Sequence, residues 1–162
     1  MKYILPAVCL FFLSACGKGD SKDDKPNPPA PTKTEMITSS SWKYESGGVD
    51  QDKNGTVDIS FAAAGLLQPC SLDNTAMFST GGTGTTDEGL TKCNVNAPQT
   101  APFAWTFANS ENSLNIAGSV VGLGGQFTIQ ALSATKLTLS KDTTISFGGT
   151  PANIALIVSL QH

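Results

Sequence analysis

The sequence predicts an all-β protein, a meander of seven to nine short strands that either closes into a barrel or folds into a sandwich. Three observations predict it. Apolar and polar residues alternate from Trp42 to the C-terminus, the pattern of strands with one buried and one wet face. Turn residues interrupt that alternation at short intervals. No stretch carries a long helical period, and the chain combines only 14% charged residues with 16 glycines, a composition suited to short strands and tight turns.

The elements follow in order. Trp42 and Tyr44 share one face of WKYES, and Ala76 and Phe78 alternate in TAMFST. Phe103, Trp105 and Phe107 alternate in FAWTFA, then Leu114 and Ile116 in SLNIAG, and Phe127 and Ile129 in QFTIQAL. Leu137 and Leu139 follow in KLTLSKD, and Ile154, Leu156, Val158 and Leu160 close the chain. GGTG at 81–84, NSEN at 109–112, VGLGG at 121–125, SAT at 133–135 and GGTP at 148–151 read as the turns between them. One segment breaks the pattern: ISFAAAGLLQPC reads as a short helix or a loop covering one end of the fold. Closing the sheet removes its exposed edges.

The N-terminus reads as an address. Residues 1–15 form a lipoprotein signal peptide, with Lys2 ahead of an apolar run too short to span a bilayer. LSAC resembles the bacterial lipobox, which implies a diacylglyceryl thioether on Cys16 and a membrane partner through that lipid. Residues 16–35 are the lipidated cysteine and a tether, where PNPPAP favours extended polyproline geometry and the flanking charges stay solvated. SKDD after Cys16 is similar to the signal that exports some Bacteroidetes lipoproteins to the cell surface, and reads equally as a solvated charge run. A lipid-anchored outer-membrane location follows, on the periplasmic face or the cell surface. Residues 36–162 are left as one domain.

Cys9 leaves with the signal peptide and Cys16 carries lipid, so Cys70 and Cys93 remain as a disulfide in an oxidising compartment. The bridge closes 22 intervening residues, worth about 3 kcal/mol in the chain-entropy model. Two cysteines without an internal histidine are too few ligands for zinc.

PCSLDNTAMFST and DEGLTKC with their paired cysteines, Trp105 in its strand, and LSATKLTLS together resemble the lipocalin-like domain of Bacteroidetes lipoproteins, over about residues 36–162. The resemblance implies an antiparallel up-and-down β-barrel of about eight strands, calycin-like, behind a flexible lipid-anchored tether. It implies little biochemistry. The Gly-X-Trp signature of true lipocalins is absent, since Trp42 follows Ser41.

The residues for catalysis are missing. The only histidine is the last residue, His162, a position usually disordered, so nucleophile–base pairs lack their base. No arginine occurs and the net charge is −3, which argues against nucleic acid and against phosphoryl transfer. The expected protein is therefore a non-enzymatic, monomeric binder without a required cofactor. Trp42, Phe78, Phe103, Trp105 and Phe107 are the candidate lining for a small hydrophobic ligand, or else plain core. The alternative is a surface module that recognises glycan or protein through Tyr44 and the 81–102 segment, or a structural envelope component. DQDKNGTVD adds a candidate calcium loop: Asp50, Asp52, Asn54, Thr56 and Asp58 hold the oxygen positions and Gly55 the sixth. Phe61 stands where the bidentate Glu belongs, and Asn54-Gly55 alone reads as a type I′ hairpin turn.

Overall fold

A computed structural model describes residues 28–120, 122–147 and 150–162. The expected signal peptide at 1–15, the expected lipidation site Cys16 and most of the expected tether lie outside the described residues, as do Val121, Gly148 and Gly149 of two expected turns. The folded unit runs from Pro31 to His162. It begins five residues before the boundary suggested by composition, because Thr32 caps a one-turn helix, α1 (Lys33–Ile37), with a reciprocal box to Glu35.

The rest is a closed, eight-stranded antiparallel β-barrel of up-and-down order. Its strands are β1 (Trp42–Asp50), β3 (Thr75–Ser79), β4 (Thr83–Asp87), β5 (Thr100–Ala108), β6 (Ser113–Val120), β7 (Leu123–Leu132), β8 (Lys136–Phe147) and β9 (Thr150–Gln161), each paired with the next. Pairing of β1 with β9 from Lys43↔Gln161 to Asp50↔Ala155 closes the ring. A two-residue strand, β2 (Ile59–Ser60), shares the other edge of β1 with β3, at Gly48↔Ser60 and Val49↔Ile59. All seven alternating runs of the sequence are strands.

The run that escaped sequence reading is β4. Its inward positions are Gly84 and Thr86, which offer no apolar side chain to the periodicity, and Gly84 lies opposite Phe103. The residue is glycine because the Phe103 ring occupies the place of its Cβ. The GGTG turn is correspondingly shorter than expected, ending at Gly82, and β7 takes up Leu123–Gly125 of the expected VGLGG turn.

The inward faces build one core, from Ile37 and Trp42 through Phe78, Trp105, Leu114, Phe127 and Leu139 to Leu160. Its lower end is sealed. Ile37 of α1 is fully buried, the indole Nε1 of Trp42 donates to Ile37 O at 2.8 Å, and Lys33 Nζ donates to Glu111 O at 2.6 Å in the β5–β6 turn. His162 is ordered against this seal: its ring lies 3.9 Å from that of Trp42, and its nitrogens meet Ser41 O at 3.1 Å and Ser39 Oγ at 3.3 Å. The expectation of a loose C-terminal residue is corrected by these contacts.

Replacing Gly84 by alanine should drive a methyl into the Phe103 ring and cost about 1–3 kcal/mol through overpacking, seen as a lower midpoint in urea. The same change at Gly55, where nothing lies within 4 Å of the new atom but φ is +90°, reports backbone strain alone and separates the two effects.

Candidate functional site

The aromatic residues chosen from the sequence do meet, and they meet one another. Phe78 stands edge-on to Phe103 at 5.1 Å and to Trp105 at 5.6 Å, and Trp105 to Phe107 at 5.3 Å. Trp105 Nε1 donates to Ser79 O at 3.2 Å and Thr83 O at 2.9 Å, which ties β5 to the β3–β4 turn. Trp42, Phe78, Phe103 and Trp105 are buried and Phe107 is partly buried. Tyr44, the candidate surface aromatic, points into the barrel beside Leu160 and packs on the core; burial raises its phenol above the ordinary value. Of the 81–102 segment, residues 83–87 and 100–102 are strand.

Space is found at the opposite end. There the segment from Phe61 to Cys70, the run without alternation, crosses the mouth as a series of turns closed by Leu66 N to Phe61 O at 2.8 Å and Ala64 N to Ser60 O at 2.9 Å. It is the covering loop that the sequence suggested. Phe61 reaches the core because Gly47 has no Cβ; one there would lie 2.7 Å from the Phe61 ring. Beneath the loop are two apolar cavities. One of about 220 Å³ is lined by Phe61, Leu66, Leu67, Gly122, Leu123 and Leu156. The other, of about 450 Å³, is lined by Val49, Ile59, Ala63, Ala64, Leu66 and Ile145. Leu66 lines both and is 64% exposed. A polar cavity of about 180 Å³ adjoins the smaller of them at Gly122, lined among others by Asn74, Thr86, Glu88 and Ser119. Sequence reasoning missed these residues because half belong to the covering loop, where no period marks a buried face.

The covering loop is pinned at its far end. Cys70, in a 3₁₀ turn (Pro69–Ser71), is bonded to Cys93 in the β4–β5 loop, as expected from the cysteine count. Two carboxylates hold the same loop. Asp87 accepts from Gln99 Nε2 at 2.8 Å and Gly89 N at 2.8 Å, and these donors lower its pKa from 3.8. At Asp73 burial pushes the pKa upward, but the amides of Thr91 and Leu90, at 2.9 and 2.8 Å, outweigh it and the net shift is downward. Both groups bind protons more weakly folded than unfolded. Their stabilisation is therefore present above the ordinary value of 3.8 and is lost as pH falls through the lower folded values. The thermal midpoint should fall on acidification below that value, and Asp87→Asn should flatten the fall; an unchanged profile in Asp87→Asn would remove this carboxylate from the account.

The DQDKNGTVD segment is a nine-residue connection between Val49 and Ile59, longer than a two-residue hairpin turn. Asp50 is 1% exposed, and its two oxygens accept from Asn54 N at 3.1 Å and Gly55 N at 2.8 Å. Asp52 Oδ2 accepts from the Asn54 amide at 2.9 Å, Asp58 Oδ2 from Gln51 N at 2.7 Å, and Asn54 Oδ1 from both N and Oγ1 of Thr56. Oxygens of Asp50, Asp52 and Asp58 lie within 4.8 Å of one another. Phe61, at the place of the twelfth ligand, is buried in the core. The carboxylates of the loop thus accept from amides of the loop itself. Asp50→Ala should strand two amides and cost about 1–3 kcal/mol, whereas millimolar calcium should leave the wild-type melting midpoint where chelator puts it. A calcium-dependent rise that Asp52→Ala abolishes would make the loop a cation site.

No protein-family model and no curated protein matches this chain.

Proposed function

We propose that the protein is a non-catalytic binder that holds a small apolar molecule in the mouth of its barrel, at the outer membrane, through lipid on Cys16. The single observation that carries the binding reading is the pair of apolar cavities beneath the Phe61–Cys70 loop, sharing Leu66. Eight-stranded barrels either fill their interior with side chains or leave room for one ligand. Here the lower half is filled by aromatics and the upper half is not. The larger cavity lies within the 300–1,000 Å³ range, in round terms, of small-molecule sites and the smaller below it, which suits a compact or slender ligand. The anchor rests on the LSAC pattern and the composition of the tether.

The absence of catalysis is supported by the setting of His162. Its Ser39 neighbour already donates to Met36 O at 2.9 Å, and Nδ1 faces a backbone carbonyl instead of a carboxylate. A second reading, recognition of another macromolecule by the mouth, is favoured by Leu66, Leu72, Leu90 and Val95, which are exposed on the loops around it.

A neutral fluorescent probe such as N-phenyl-1-naphthylamine separates the two. Binding to the full chain should blue-shift the probe, and Leu66→Asp should weaken it by about tenfold, the effect of a charge set in an apolar wall. The change should barely move the melting midpoint, since Leu66 is already exposed. No probe response in the wild-type chain would leave the macromolecular reading.

A further inference from the structure

The outer wall of the barrel carries a cleft of its own. β7 and β8 pair from Leu132↔Leu137 to Thr128↔Ser140, and beyond that point β7 continues beside β6 and β8 beside β9. A polar cleft of about 330 Å³ opens where they part. Its floor is a row across three strands: Ser113 of β6 pairs with Thr128 of β7, and Thr128 with Ser140 of β8. Paired residues present their side chains to one face, and the neighbours Leu114, Phe127 and Leu139 belong to the core, so the row faces outward. Strands about 4.8 Å apart set the hydroxyls at that spacing. Lys141 follows where pairing has stopped. Its Nζ reaches across the gap to Gly124 O at 2.8 Å and lies 5.6 Å from the centre of the Phe127 ring. Gly125 makes room for it, since a Cβ there would stand 2.9 Å from Nζ. Asn109, Gln126 and Asp142 complete the rim.

We propose that this cleft is a second binding site, separate from the mouth, and that it takes a neutral saccharide unit. The proposal does not depend on the reading of the mouth. Its first support is hydrogen-bonding capacity that the fold leaves unspent. Ser113 and Ser140 are 6% and 8% exposed, and each accepts a bond: Ser113 Oγ from Asn109 Nδ2 at 2.9 Å, Ser140 Oγ from Gln130 Nε2 at 2.7 Å. Neither hydroxyl donates its own hydrogen to a partner among the described residues. Buried polar groups are ordinarily satisfied, so two such hydroxyls in one cleft call for an acceptor there. Lys141 uses one of its three donors, on Gly124 O. The second support is that acceptors stand among these donors. Asn109 keeps its Oδ1, and Asp142 keeps Oδ1 while Oδ2 is held by Lys53 at 2.7 Å. An anion offers acceptors only and would meet the Asp142 carboxylate; a cation would meet Lys141; an apolar molecule would leave the serines unserved. Sugar hydroxyls each donate and accept, and those on opposite sides of a pyranose ring are spaced much like residues on neighbouring strands. Phe127 is 2% exposed and offers no face for stacking, so affinity comes from hydrogen bonds and the dissociation constant is on the order of 1 mM.

Amide NMR spectra of the full chain, titrated with maltose, cellobiose and lactose and separately with inorganic phosphate, test this. At least one disaccharide should give saturable shifts at Ser113, Gln126, Thr128, Ser140 and Lys141, with an affinity that added salt leaves unchanged. Thr128→Val keeps the shape of an exposed side chain and removes its hydroxyl, and should weaken that sugar about fivefold. Ser140→Ala, which removes a buried donor, should weaken it at least as much. Both variants should bind N-phenyl-1-naphthylamine as the wild type does, and Leu66→Asp should leave the sugar affinity unchanged, which separates this cleft from the mouth. Saturable binding of phosphate in place of the sugars would make the cleft an anion site and overturn the proposal. Absence of saturable shifts with all three disaccharides would overturn it as well, as would a sugar affinity that neither Thr128→Val nor Ser140→Ala changes.

Discussion

The structure depends on β1 serving three partners. Along one edge it pairs with β9 from Lys43 to Asp50 and closes the barrel; along the other it gives two residues to β3 and two to β2. An eight-stranded ring has no free edge only if its first and last strands meet, so without this pairing the sheet would be an open meander with exposed amides at both sides. The division of the second edge has a further consequence. Because β3 joins β1 only at Trp42 and Lys43, the chain between them must leave the wall, cross the mouth and return, and the covering loop is that excursion. Gly47 and Gly48 in β1 permit it, since side chains there would meet Phe61, Val57 and the backbone of Ile59.

The two ends of the barrel differ accordingly. The lower end is sealed by α1, tight turns and His162 over Trp42, and its interior is filled by interlocked rings. The upper end is spanned by long loops that secondary structure cannot hold, so a disulfide and buried or hydrogen-bonded carboxylates hold them instead. A covalent tie shortens the accessible states of the unfolded loop, and a carboxylate accepting amides satisfies backbone that no strand pairs. The acids at 50, 73 and 87 thus serve loop architecture, and the space left for a ligand lies under the least regular part of the chain.

Much of this was legible before the fold. Seven strands announced themselves by period two, since each has one face in the core and one in water. The disulfide followed from counting cysteines, and the covering loop from the one apolar run without alternation. β4 was invisible because its inward residues are Thr86 and Gly84, and the lack of a side chain at Gly84 is itself a packing requirement of Phe103. The large aromatics drew attention as ligand contacts because size and apolarity suit both a pocket wall and a core; only their mutual distances show that they fill space.

The sequence by itself determined what depends on near neighbours: strand periodicity, turn chemistry, the absence of bases and arginine, and the number of thiols left to pair. Tertiary structure alone decided what depends on residues far apart in the chain. Val49 and Ile145, or Phe61 and Leu156, come to share a cavity only when β1 meets β9 and β8 overhangs the ring. Lys141 reads in sequence as an ordinary charge in SKD, and its ammonium reaches Gly124 O of β7 across the gap that opens where β7 and β8 part above Ser140. Sidedness on a strand is written locally, but what stands opposite that side is set by closure, register and the points where pairing stops.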